Sequence, residues 1–282
     1  LTRIAQNRLA DAMSDPHESE RYLIAYTRDK IRMIDDMCVA FAQRSGHRLV
    51  EDLESEPGSK LLKIKLGPIP PPVRGLAAES LTNMRNALDQ AVLHCSERIN
   101  AAARRKAPKN GCHFPFADSA DEMKKLLGGG SWRVRDIAPE LHPTLQSFAP
   151  YPSKPGEPGN DRLHHVGLVS GPNKHKLTLR VGSEAGPMLI RRIQPLSGHG
   201  FDMMAPRLNP ATNEIAVVRT HVDGQILIDF DLEIYVGFEH KLIGNYPIAG
   251  VLIKQLDTVE KAIETLIGKT DEIVAELSKA AN

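Results

Sequence analysis

Arg85 and Asp89 stand four residues apart. On a helix that spacing brings two side chains onto one face. A guanidinium beside a carboxylate supports two readings. It is an ion pair that braces the helix, or it is part of a polar cluster that binds a ligand. Lys174, His175 and Lys176 follow Gly171-Pro172, a turn signal. This positive cluster suits a phosphate or a carboxylate, or else a polar strand start that pairs with the Arg85/Asp89 helix. Arg85, Asp89, Lys174 and His175 are therefore the expected ligand-binding set, with Arg85, Asp89 and His175 the candidates for catalysis.

Other constellations carry less. His164 and His165 are adjacent and would point about 100° apart on a helix, so a solvated pair is expected rather than a chelate. His94-Cys95 and Cys112-His113 offer imidazole and thiolate, both zinc ligands, but without knuckle spacing. Asp229, Asp231 and Glu233 form an acidic row on one strand face. It reads as a site for a divalent ion or as a solvent face paired with Arg219 or His221 across a hairpin. Gly128-Gly129-Gly130 is followed by neither Lys-Ser/Thr nor GxGxxG spacing. Ser80 and Ser170 lack a nucleophile-elbow context. No metal and no cofactor are expected.

The elements that must position these residues follow from periodicity. Ile24, Ile31, Ile34, Cys38 and Phe41 form one apolar stripe and predict a helix over 16–52, capped by Asp15-Pro16. Residues 60–66 partly alternate and predict a short strand, and Pro68 to Pro72 then blocks regular structure. Leu81, Met84, Leu88, Val92, Cys95 and Ile99 predict a helix over 76–100 that carries Arg85 and Asp89. Prolines and glycines break residues 104–160, leaving short helices near 118–127, capped by Asp118 or Ser119, and near 134–148. Tyr151 to Asn160 reads as a flexible excursion. Beyond Lys174 the period becomes two. Residues 176–182 and 187–194 read as one hairpin, and 214–222 with 225–236 as another about Asp223-Gly224. In the latter, Ile226, Ile228, Phe230, Leu232 and Ile234 share a face, and a three-residue loop with Gly224 left-handed is preferred. Leu252, Leu256, Val259, Ile263, Leu266, Ile273 and Leu277 predict a final helix over 251–280. The order gives an α+β fold: N-terminal, central and C-terminal helices in a bundle with an antiparallel sheet of about four strands. A single domain over 1–282 is expected, helical to 106, irregular over 107–174, stranded over 175–245 and helical over 250–282.

Composition narrows the function. The 282 residues carry 36 Lys plus Arg against 35 Asp plus Glu, a net charge of +1. That balance argues against a duplex-DNA binder. With 41% hydrophobic residues the chain is not a disordered one. Aromatics at 5% leave little for base stacking. Cys38, Cys95 and Cys112 are odd in number and widely spaced, which fits a reducing compartment, and the cytoplasm is expected. No apolar run is long enough to span a membrane, and LTRIAQNRLADAM lacks the apolar core of a secretory signal.

The segment Gly75 to Gln90, after its proline-rich lead-in, resembles a helix of an uncharacterised bacterial and phage-associated family whose pattern is roughly GDxLHNLRSALDHL. Leu81, Asn83, Arg85, Ala87, Leu88 and Asp89 match it. Phe114-Pro115-Phe116 resembles that family's FPI segment, Ala149-Pro150-Tyr151 its QPY segment, and Asn173 to Leu177 its DKHRxL motif. The resemblance covers about residues 60–180 and brings no established activity. Family members carry Arg, a polar residue and then His five positions on, which is similar to the element of HEPN-type ribonucleases. Here Gln90 replaces that histidine and Asn173 the aspartate of DKH, so both proton-exchanging groups are gone. His94 lies about 180° from Arg85 around the helix and is a poor substitute. The expected function is a non-enzymatic binding or assembly module, with a HEPN-like, degenerate ribonuclease of a defence or toxin system as the alternative. The partners left open are a second copy through the Arg85 helix, RNA or a small anion; neither a membrane nor duplex DNA is expected.

Overall fold

Apolar stripes draw the helices together, and the strands find their partners by edge rather than by order in the chain. The computed structural model describes residues 17–43, 47–53, 58–173 (backbone alone for 171–173), 179–197, 200–209, 211–239 and 246–280. The fold is α+β: helices with a four-stranded antiparallel sheet and a two-stranded one. The chain divides into two compact units, one of residues 1–31, 77–178 and 252–282, the other of 32–76 and 179–251. The Asp15-Pro16 start signal, Lys174, His175 and Lys176 lie outside the described residues.

The first unit is helical. It holds the first part of α1 (Glu18–Ala42), most of α2 (Pro72–Ala102), the short helices α3 (Ala120–Lys125) and α4 (His142–Ser147), then α5 (Asp161–Asn173) and most of α6 (Ile248–Ala280). The predicted α2 stripe is fully buried: Leu81, Met84, Leu88, Val92, Cys95 and Ile99. Each such side chain contributes about 1.5–3 kcal/mol on burial. The α6 stripe is buried from Leu252 to Leu266, while Ile273 and Leu277 are only half-buried. Gly268 passes inside α6 without breaking it. Exposed ion pairs rim the bundle, with Arg28 on Asp257 and Glu260 and Arg21 on Glu264. Such pairs position more than they stabilise.

The irregular stretch is more ordered than its prolines suggest. Ser119, not Asp118, caps α3, its hydroxyl accepting from the Glu122 N–H at 3.2 Å. The predicted 134–148 helix shrinks to a 3-10 turn, Pro139–Leu141, running into α4. Pro139 and Pro143 lack the donors a longer helix needs. The 151–160 excursion is tied down: Lys154 and Glu157 exchange backbone bonds at 3.0 Å, and the Ser153 N–H donates to Asp161 at 2.9 Å.

The second unit is mainly stranded. Its sheet order is β1 (Arg48–Leu53), β2 (Ser59–Lys65), β5 (Glu214–His221), β4 (Phe201–Asn209), and a separate ribbon pairs β3 (Val181–Pro195) with β6 (Ile226–Phe238). Leu62, Val217 and Val218 form a core against which Met188, Phe201, Ile226, Ile228 and Phe230 pack. The predicted long first helix ends at Ala42. His47 closes it: its Nδ1 accepts from the Gly67 N–H at 3.3 Å, so Nε2 donates to the Phe41 carbonyl at 3.0 Å. The exposed, charged β1 follows as an edge strand.

Two predicted hairpins are corrected. Residues 181–195 are one strand, irregular between Ala185 and Met188. β5 and β6 do not pair with each other, because β2 and β4 occupy both edges of β5 and β6 pairs with β3. The β5–β6 turn uses Gly224 for space, not for a left-handed φ: a Cβ there would lie 2.4 Å from Thr220 Oγ1. The β2–β5 register slips at Leu62/Lys63, which lets adjacent Val217 and Val218 both be buried. The acidic row Asp229, Asp231, Glu233 is a solvent face, and Arg191 of β3 pairs with its Asp231.

Candidate functional site

The buried stripe of α2 fixes where its polar flanks face. Arg85 and Asp89 share one flank, yet they do not form the ion pair their spacing suggests; Asp89 is drawn to His113 and Phe114, and Arg85 to Phe116 and to α5. Asp89 is occupied twice. Its Oδ1 accepts from the Phe114 backbone N–H at 2.9 Å, and its Oδ2 lies 3.1 Å from His113 Nδ1. A carboxylate only accepts, so the Nδ1 proton of His113 points at Asp89. The other ring nitrogen, Nε2, has no partner among the described residues, and the side chain is 41% exposed. The imidazole also meets the edge of the exposed Trp132, with ring centres 6.1 Å apart, and Arg133 lies over that indole.

One turn earlier, Arg85 lies over the Phe116 ring at 5.4 Å. Its Nη1 reaches the Gly167 carbonyl and the Ser170 hydroxyl of α5, each at 3.4 Å. Its Nε is buried with no partner among the described residues. The His113-Phe114-Pro115-Phe116 segment thus runs along α2 from Asp89 to Arg85. Phe116 also presses on α5: a Cβ at Gly167 would lie 2.4 Å from its Cγ. Glycine is required here by close approach.

The remaining candidates separate. Ser80 and Ser170 are fully buried. His164 and His165 are buried in α5, at 8% and 7% exposure, not the solvated pair expected from sequence. Gln90 buries an Oε1 without a partner among the described residues. Gly128 to Gly130 belong to a wide turn with Gly129 at φ 99°. The three cysteines are free thiols, and burial pushes each up to about 11. A cleft of about 840 Å³ lies between the 147–149 and 158–163 segments and α6, and neither Arg85, Asp89 nor His113 lines it.

Sequence reasoning missed His113 as the partner of Asp89. The signal was present as adjacent fragments, Cys112-His113 and the FPF motif. It also missed a second cluster on the opposite flank of α2. Glu20, fully buried on α1, places Oε1 3.0 Å from His17 Nδ1 and 2.9 Å from His94 Nδ1, and its Oε2 accepts from Ser19 at 2.7 Å. Burial raises the Glu20 carboxyl, but the hydrogen bonds from His17, Ser19 and His94 together outweigh it and hold the group down at about 2. Arg98 reaches His17 Nε2 at 3.2 Å and also pairs with Asp271. No helix among the described residues is long and apolar enough to cross a membrane. Comparison with protein-family models, with curated protein sequences and with solved structures finds no match for the chain.

Proposed function

We propose that the chain is a non-enzymatic binding or assembly module, and that Arg85 and Asp89 are fastenings inside it. The observation that carries this reading is the commitment of both charges to the chain itself. Asp89 spends both oxygens on His113 and the Phe114 N–H, and Arg85 gives its Nη1 to Gly167 and Ser170 and its guanidinium face to Phe116. Kinship with the bacterial and phage-associated family, on the motifs from Gly75 to Leu177, belongs to the same proposal. So does a cytoplasmic setting, which suits three unpaired cysteines.

One observation favours the second reading, a HEPN-like ribonuclease. His113 is oriented by a carboxylate and keeps Nε2 free among the described residues, the arrangement of a group that moves protons. It would fill the role that Gln90 cannot. The test is cleavage of a fluorogenic single-stranded RNA by wild type, Arg85→Ala and His113→Ala, each checked for folding by circular dichroism. The binding-module reading expects no cleavage above background from any of the three. Cleavage by the wild type that is lost in both folded variants overturns it.

A further inference from the structure

We propose that His17, Glu20 and His94 form a binding site for a divalent transition ion of the zinc type. The three side chains each offer one ligand atom, and those atoms lie within 4.8 Å of one another. Two imidazole nitrogens converge on one carboxylate oxygen, at 3.0 and 2.9 Å. Metal–ligand bonds of about 2.0–2.2 Å from a tetrahedral centre separate neighbouring ligand atoms by little more than that. Two imidazoles and a carboxylate are a donor set that zinc takes with a fourth position left to water.

The setting fits as well. His17 and Glu20 are three apart at the start of α1 and therefore adjacent on its surface, and α2 supplies His94. Glu20 and His17 are buried, at 0% and 2% exposure, whereas the His94 side chain is 28% exposed and gives the ion a way in. Ser19 holds the second carboxylate oxygen at 2.7 Å, the outer contact that orients a ligating carboxylate. The cysteines are not part of the set: Cys95 points into the apolar stripe.

Without metal the cluster satisfies itself, because Glu20 accepts from both Nδ1 protons. Arg98 secures that state. A guanidinium only donates, so its bond to His17 Nε2 keeps the His17 proton on Nδ1. Metal on Nδ1 moves that proton to Nε2, where it faces Arg98. Arg98 must then swing away toward Asp271, its other partner. Arg98 and the ion compete for His17.

The experiment uses the whole chain, stripped with a chelator and titrated with zinc chloride by calorimetry, with cobalt(II) as a spectroscopic probe. Wild type is expected to take one ion per chain and to melt at a higher temperature with zinc. His94→Ala, on the partly exposed ligand, should stay folded and lose at least tenfold in affinity, and Arg98→Ala should bind several-fold more tightly. No uptake by wild type overturns the proposal. So does equal uptake by wild type and folded His94→Ala, or a cobalt spectrum with a thiolate charge-transfer band, which would place the ion on cysteine.

Discussion

Replacing Gly167 with alanine tests the packing that holds Arg85. In most helix interiors this change stabilises by about 1 kcal/mol, because alanine loses less backbone freedom on folding. At Gly167 the new methyl would sit 2.4 Å from Phe116 Cγ, 2.5 Å from Cδ1 and 3.0 Å from Cβ. Ordinary carbon contacts are about 3.5–4.0 Å, so the ring must retreat by about 1 Å. It cannot do so freely, since Phe114 packs against it at 5.1 Å and Arg85 lies over it. Overpacking of this kind costs about 1–3 kcal/mol. Gly268→Ala is the matched control: it is exposed, lies inside α6 of the same unit, and has nothing within 4 Å of the added methyl. The difference between the two variants isolates the clash. Gly268→Ala should gain about 1 kcal/mol, and Gly167→Ala should fall below it by about 1–3 kcal/mol. Urea unfolding followed by circular dichroism measures both. Equal stabilisation by the two substitutions would refute the packing of Phe116 on α5 and, with it, the seat of Arg85.

Two further outcomes are expected. The Asn110 N–H foremost, with those of Lys109 and Gly111, holds the Asp136 carboxyl below its ordinary value. Its contribution to stability is therefore complete above the unfolded value of about 3.9 and is lost as pH falls through the folded one. Asp136→Asn should flatten the acid limb of the stability profile, and an unchanged limb counts against the loop geometry. Burial raises the thiols of Cys38, Cys95 and Cys112 to about 11, so the native chain should react with iodoacetamide at about pH 8 far more slowly than the urea-unfolded chain. Labelling of Cys95 or Cys112, the two buried thiols, at the free-thiol rate would contradict their burial.

How much the sequence discloses depends on the range of the interaction. The α2 stripe was legible because six apolar residues at helical spacing need no knowledge of what they pack against; all six are fully buried. The face of β6 was legible for the same reason, with Ile226, Ile228 and Phe230 turned to the core. The partner of β6 was not, because alternation gives a face and says nothing of which edge will be paired. Asp223-Gly224 suggested a hairpin, and two other strands had already claimed β5. At the candidate site, four-residue spacing correctly put Arg85 and Asp89 on one flank, but it could not show that segments far along the chain would divide them. His113 reaches Asp89 across 24 residues, and His94 reaches Glu20 across 74. Lys174 and His175 lie outside the described residues, so their expected place beside Arg85 stands on the motif resemblance.

The central claim is that the polar flank of α2 fastens the fold. The unfolding free energy of Asp89→Ala tests it most directly. The substitution leaves the N–H of Phe114, a residue only 2% exposed, and the Nδ1 proton of His113 without their acceptor. An orphaned buried donor costs about 1–3 kcal/mol, so a fall of about 2 kcal/mol in urea unfolding is expected. An Asp89→Ala chain as stable as the wild type would contradict the account, because a carboxylate that can be removed without loss is not holding the fold together.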